Sequence, residues 1–365
     1  MMTNKELIII GGGPAGLTAA KMAAEAGCQV LIIERSPALG GQLIKQTHKF
    51  FGSELTYAKT RGFDIAKLLI DDVMKFKDKI EIMCDATVVG LYPNHEITVY
   101  QKGVYSKFKA TAIITATGAS EKFLAFENND LPGIYGAGAV QTLMNLYGVL
   151  PGQSIVMVGS GNIGLIVSYQ LMQAGVKVKA LLEAAPKIGG YLVHASKLRR
   201  LGVPIYTSTT IKKAIGKDFV EQIETVELNE KWEMVSGTEK LIDVDAVCIS
   251  VGLSPLHQLL SMAAVEMKFV NELGGMVPLI NENHETSYPN LFVAGDVIGI
   301  EEASSAMIEG YLVGLIASNR IGYHHPHYET LLQSYHDQLS NLRSGPFGAK
   351  TRIGLAKLRG ETHAR

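Results

Sequence analysis

Two short glycine-rich turns carry the chemistry most plainly written in these 365 residues. The first runs Gly11, Gly12, Gly13, Pro14, Ala15, Gly16, and the second runs Gly159, Ser160, Gly161, Asn162, Ile163, Gly164. Each has GxGxxG spacing, follows an apolar strand pattern and opens an apolar or alanine-rich helix pattern. In that setting backbone N–H groups and the positive end of a helix can hold a pyrophosphate without a dedicated cation. The first glycine permits the turn, the second the close approach of backbone to phosphate, and the third the packing of helix on sheet. Glu34 and Glu183 each end the following strand pattern, where a carboxylate accepts hydrogen bonds from a ribose. A carboxylate at Glu183 repels a ribose 2′-phosphate and favours NADH over NADPH, an inference that Lys187 nearby weakens.

Other polar residues point to chemistry less strongly. Lys45 and His48 follow Gly40, Gly41, Gln42 and Leu43 and could reach a cofactor's reactive side, although a surface loop is the favoured reading of them. His324, His325 and His327 cluster without a carboxylate or cysteine at ligand spacing, so no metal site is expected there. Glu301 and Glu302 suit the start of a helix, where carboxylates complement the dipole. Cys28, Cys84 and Cys248 match no zinc, iron–sulfur or CxxC spacing and are expected to be buried small hydrophobes in a reducing cytoplasm.

The elements that must position these turns form an internal repeat. Gly11, Gly13, Gly16 and Gly27 recur 148 positions later as Gly159, Gly161, Gly164 and Gly175, while Glu34, Gly40 and Gly41 recur 149 positions later. One residue therefore enters the second copy, and the spacing predicts it between helix and second strand. Each copy reads as strand, glycine turn, helix and strand, a βαβ unit. The strand ending at Thr117 and Gly118 closes the first block, and the strand ending at Gly252 closes the second. A strand ending at Gly295 and Asp296 and a helix from Ala303 follow, then an amphipathic helix carrying Tyr328, Leu331, Leu332, Tyr335, Leu339 and Leu342. The end of the chain, with Arg343, Lys350, Arg352, Lys357 and Arg359 against Glu361, is expected to be a solvated basic tail, with contact to a partner or an anion as the alternative.

Composition bounds the answer. Apolar residues make up 47% and charged residues 19%, ordinary for a globular chain and too hydrophobic for a disordered one. A net charge of −1 provides no basic field for nucleic acid or acidic lipid. The amino end reads as strand, turn and helix, not as a signal peptide, and no run of eighteen apolar residues predicts a membrane span.

The motifs GGGPAG with Glu34 and Arg35, GGQL from Gly40, TATG from Thr115, GSGNIG, and VAGD from Val293, in this order, resemble the pyridine nucleotide–disulfide oxidoreductases of the thioredoxin reductase-like group. The resemblance covers residues 5 to 325. It implies an α/β fold of two Rossmann-like, three-layer dinucleotide-binding domains, the second inserted in the first: an FAD domain at 1–119 and 254–330, an NAD(P) domain at 120–253, and a C-terminal helix and basic tail at 331–365.

The same resemblance implies FAD on Gly11, Gly13, Pro14, Ala15 and Gly16, with Glu34 at the adenosine ribose and Arg35 at the adenine region. Val88 would offer backbone contacts to the adenine, Gly41 and Gln42 would line the flavin, and Thr117 and Gly118 would close over the pyrophosphate. Gly295 and Asp296 would bind the ribityl chain or a phosphate-bound water, and Ala303 would aim a helix at the flavin edge where negative charge develops on reduction. NAD(H) would sit on Gly159, Gly161, Asn162, Ile163, Gly164 and Glu183.

One departure from the group matters. No cysteine pair stands where its disulfide-reducing members carry one, which excludes a dithiol mechanism. Other segments, including GLSPLHQLL and GDVIGIEEASSAMIEG, are more similar to the flavoprotein subunit of heteromeric opine, proline, sarcosine and cyanide-forming oxidases and dehydrogenases. Those relatives often carry a cysteine-rich iron–sulfur module that this sequence lacks, so the expected partners are a second flavoprotein, an iron–sulfur subunit, or both. Hydride exchange between nicotinamide and flavin needs no side-chain base, and none is nominated. Two alternatives stay open: a stand-alone NAD(P)H:ferredoxin or quinone-type reductase, and a non-catalytic nucleotide-binding assembly subunit.

Overall fold

The computed structural model describes residues 2–345 and 348–358. They divide into two compact units, one built from the residues up to Ser120 and those from Ser254 onward, the other from Glu121–Leu253.

In the first unit the strands are β1 (Met2–Ile10), β2 (Val30–Ile33), β3 (Ile80–Met83), β4 (Ala86–Tyr92), β5 (Glu96–Gln101) and β6 (Val104–Thr115), with helices α1 (Pro14–Glu25) and α2 (Gly62–Met74). The sheet order is β3-β2-β1-β6-β5-β4, and Leu291–Val293 joins β6 as a further parallel strand. β1, β2, β3 and β6 are mutually parallel, whereas β4, β5 and β6 form an antiparallel meander. The strand expected near Thr115 is thus a twelve-residue element that begins at Val104, because its polar first half pairs with β5. Both faces of the parallel strands are covered, which is why they read as continuous apolar runs. Leu7 and Ile9 face a core with α1, α2 and the helix Ala303–Arg320, while Ile8 and Ile10 face a second core with Ile97, Val99 and Leu273.

The second unit is a five-stranded parallel sheet in the order Ile205–Tyr206, Lys177–Leu182, Ser154–Val158, Ala246–Ile249 and Ile134–Gly136. Ile155, Met157, Leu181 and Cys248 pack toward the helices Asn162–Gln173 and Leu192–Arg200. Val156, Val158, Leu182 and Val247 pack toward a three-stranded antiparallel sheet through Ile211, Ala214 and Ile223. Three layers result.

The extra residue of the second copy lies inside the second strand, not ahead of it. Leu7 pairs with Val30, and the equivalent Ile155 pairs with Val178, but the next pair is Val156 with Ala180. Lys179 is bulged out. A one-residue insertion in a strand would exchange its two faces, and a bulge absorbs it so that Leu181 and Leu182 keep theirs.

The end of the chain differs from the solvated tail expected of it. After the helix Tyr328–Leu342, Arg343 is buried, and a further helix spans Ala349–Leu358. Arg352 donates to the carbonyls of Arg343 and Gly345, and Lys357 pairs with Glu272, whereas Lys350 is exposed. Apolar contact and pairing of the cations to carboxylates and carbonyls hold this segment in the first unit. Arg359 and Glu361 lie outside the described residues.

Candidate functional site

In both glycine turns the three glycines stand under different constraints. Gly11 and Gly159 have φ of +113° and +105°, and a side chain on either would collide with a backbone carbonyl, that of Ala116 or Ser250. Gly16 and Gly164 press against the carbonyls of Gly11 and Gly159. Protein packing alone therefore accounts for these four. Gly13 and Gly161 are otherwise: their backbones are ordinary, with φ of −80° and −63°. A Cβ on Gly13 would meet only the Cα of Gly41 at 3.8 Å, and one on Gly161 would meet nothing within 4 Å. Neither conformation nor packing requires glycine at these two positions, and the open space above them leaves room for a ligand to approach the protein backbone closely.

The carboxylates behave alike in the two units. Glu34 is buried and accepts from the N–H of Gly12 (2.7 Å) and of Ser36 (2.8 Å). Glu183 accepts from the N–H of Ser160 (2.9 Å) and of Ala185 (2.8 Å), and from the Ser160 hydroxyl. Each carboxylate thus fixes its glycine turn while keeping further lone pairs for a hydroxyl. The following Gly-Gly pair closes on the turn: Gly40 N–H donates to Gly12 O at 2.8 Å, and Gly190 N–H donates to Ser160 O at 2.8 Å. The Asn162 side-chain oxygen accepts from Tyr191 N–H at 2.8 Å, which ties it to this closure.

The remaining residues singled out in the sequence sort by surroundings. Pro14 and Ala15 form the first turn of α1, with Ala15 buried, and Ile163 is exposed in the first turn of Asn162–Gln173. Arg35 and Gln42 are exposed, and Gly41 lies against Gly13. Val88 sits beside a register shift in β4 that opens the ladder before Gly90. The Thr117 hydroxyl donates to Leu256 O at 2.8 Å, and Leu256 N–H donates to Gly118 O at 2.9 Å, so this pair is anchored while nothing lies within 4 Å of where a Gly118 side chain would be. Lys45 and His48 are half-buried, with the His48 ring stacked on Phe50 at 5.7 Å. Ala303 opens the long helix. No group of His, Cys, Asp and Glu able to hold a metal occurs among the described residues. All three cysteines are free thiols; Cys28 and Cys248 are buried, and Cys84 is only half-buried, unlike the expectation for it.

Sequence reasoning missed the residues that hold the Gly295–Asp296 turn. Gly295 N–H donates to Glu309 Oε2 at 2.8 Å, and Glu301 N–H donates to Asp296 Oδ1 at 3.3 Å. Arg343 pairs with both acids, at 2.7 Å to Glu301 Oε1 and by a short contact to Glu309 Oε1. Burial, with Glu309 and Glu301 beside it, pushes the Asp296 carboxyl up to about 7. A signal was present: Glu309 is a lone acid in the middle of an otherwise apolar helix, and such a residue needs a partner.

Two layered α/β units, each with a strand–glycine turn–helix cradle, make up the described chain. The chain belongs to the pyridine nucleotide–disulphide oxidoreductase family, which it matches over residues 5–310, and is an FAD-dependent enzyme of that family. One of the subunits of opine oxidase from Agrobacterium tumefaciens is 25% identical over 86% of this chain and 65% of its own length. The alpha chain of sarcosine oxidase from a Corynebacterium is 25% identical over 88% of this chain, a match that spans 33% of that relative. Among solved structures, L-proline dehydrogenase from P. horikoshii superposes with a TM-score of 0.67 at 22% identity, covering 91% of this chain and 59% of that one. Thioredoxin reductase from T. acidophilum superposes at 0.70 with 21% identity, over 87% of this chain and 98% of that one. The chain thus spans 65% and 33% of the length of the two oxidase relatives, and among its described residues no helix is long and apolar enough to cross a membrane.

Proposed function

We propose that the chain is the flavoprotein subunit of a heteromeric amino-acid or opine-type dehydrogenase, binding FAD in the first unit and NAD(H) in the second. The observation that carries this reading is the pair Gly13 and Gly161, glycines that neither fold nor packing explains. FAD, when bound, supplies two-electron redox chemistry. The chain's own residues would bind and orient it: Gly11 to Gly16 and the start of α1 would hold the pyrophosphate, Glu34 the ribose, and the Thr117–Gly118 and Gly295–Asp296 turns the remainder. The start of the helix Ala303–Arg320 sets a positive dipole end where reduced flavin would bear charge. In the second unit Gly161 admits the nicotinamide nucleotide's pyrophosphate, and Glu183 favours NADH over NADPH.

The names of the relatives, each one part of a larger oxidase, support a partner, expected to be a second flavoprotein or an iron–sulfur protein that oxidises the substrate. Three free thiols fit a reducing cytoplasm. Co-purification from native cells tests the assembly: a stoichiometric flavoprotein or iron–sulfur partner is expected. A chain that purifies alone and reduces ferredoxin or a quinone contradicts it. FAD or an adenine nucleotide bound without any reduction by nicotinamide leaves only an assembly role.

A further inference from the structure

Arg343 lies 33 residues beyond the segment that matches the family, in the turn between the helices Tyr328–Leu342 and Ala349–Leu358. It is nonetheless buried in the first unit, where its guanidinium bridges two carboxylates. Nε lies 3.1 Å from both Glu301 oxygens, Nη2 lies 2.7 Å from Glu301 Oε1, and Nη2 also meets Glu309 Oε1. Each acid then holds one residue of the next turn: Glu309 accepts from Gly295 N–H, and Glu301 donates its own N–H to Asp296. The Arg343 backbone is itself held, since Arg352 donates to the carbonyls of Arg343 and Gly345, and Gly348 packs so closely on the Arg343 backbone that a side chain would not fit.

The charge balance explains why an arginine is needed. Three carboxylates, Asp296, Glu301 and Glu309, gather around this turn, and Arg343 pairs with two of them, Glu301 and Glu309. A fork with five donors can bridge two acids at fixed geometry, which a lysine's single ammonium does less well. Without the cation, Glu309 would be a buried unpaired charge and would lose the geometry that holds Gly295 N–H.

We propose that Arg343 is a positioning residue for flavin binding: the C-terminal segment delivers it to the buried Glu301–Glu309 pair, and through them it fixes the Gly295–Asp296 turn in its ligand-competent form. This rests on the assignment of FAD to the first unit. It extends that assignment to a residue that does not itself touch the cofactor and lies outside the residues matched to the family.

The test compares wild type, R343Q, R343K and the double variant R343Q/E309Q, each stripped of flavin. FAD is titrated by quenching of its fluorescence, and amide exchange is followed in peptides covering Gly295 and the helix Tyr328–Leu342. The expected result is FAD affinity about tenfold weaker in R343Q, and intermediate in R343K and in the double variant, which removes the cation and the more deeply buried of its two acids but keeps an acceptor for Gly295 N–H. Exchange at Gly295 should quicken in R343Q and slow again in the double variant, with the tail helix unchanged. An R343Q chain with wild-type FAD affinity and exchange overturns the proposal, and so does a double variant no better than R343Q, because a merely structural role for the tail would not be rescued at Glu309. A wild-type chain that fails to bind FAD at all, while its Gly295 exchange still depends on Arg343, overturns the cofactor assignment and leaves the clamp standing.

Discussion

At the residue scale, the two turns separate glycines that the protein needs from glycines that a ligand needs. Gly164 lies against the carbonyl of Gly159, so Gly164→Ala should destabilise the second unit by about 2 kcal/mol, read by thermal melting. Gly161 faces open space in an ordinary conformation, so Gly161→Ala should change stability by less than about 1 kcal/mol yet weaken NADH binding about tenfold, read by titration calorimetry. Equal NADH affinity in the two chains would argue that the second turn only packs. Asp296 offers a second prediction. Its carboxyl is raised to about 7 in the folded chain, so the folded state holds a proton that the unfolded state releases near pH 4. Stability should therefore fall as pH rises from about 4 through about 7. Asp296→Asn should remove that slope and stabilise the flavin-free chain at pH 8 but not at pH 4, by an amount on the order of 4 kcal/mol, read from melting curves at the two pH values.

At the element scale, the position of the long helix depends on small residues. Gly310 packs on the Ala15 carbonyl and Gly314 on Ala19, while the Thr18 hydroxyl donates to Met307 O at 2.9 Å. α1 and Ala303–Arg320 thus run side by side, and Gly295 meets Ala15 beside the glycine turn. Gly314→Val should cost about 3 kcal/mol or more and loosen FAD together with the fold, a loss of both midpoint and flavin retention in the same denaturation series.

The elements near the ligand were legible in the sequence because their chemistry is local. A strand, a glycine turn, a helix and an acid sit within one short stretch, and the requirement for a close backbone approach is written in single positions. The Arg343–Glu309 clamp was not legible, since its members are 34 residues apart and charge runs at chain ends read as solvated. The hairpin of β5 and β6 escaped for a different reason: the first half of β6 alternates polar and apolar residues, a half-buried strand pattern that a reading for continuous apolar runs passes over. The Lys179 bulge was visible only as a change of repeat spacing, which shows that a residue was added but not which strand geometry absorbs it.

At the scale of the whole molecule, the chain carries two glycine-turn cradles and three free cysteines, so under the proposed function bound cofactors carry the electrons. The named relatives are subunits of larger oxidases, and under the proposed function the substrate chemistry falls to a partner. Under the proposed function, nicotinamide and flavin exchange electrons on this one chain. The most direct measurement is an anaerobic titration of the purified, flavin-loaded protein with NADH, followed by the absorbance of oxidised flavin. Bleaching should saturate at one NADH per flavin, with NADPH much less effective and Gly161→Ala requiring about tenfold more NADH. An oxidised flavin spectrum that NADH and NADPH both leave unchanged would contradict it.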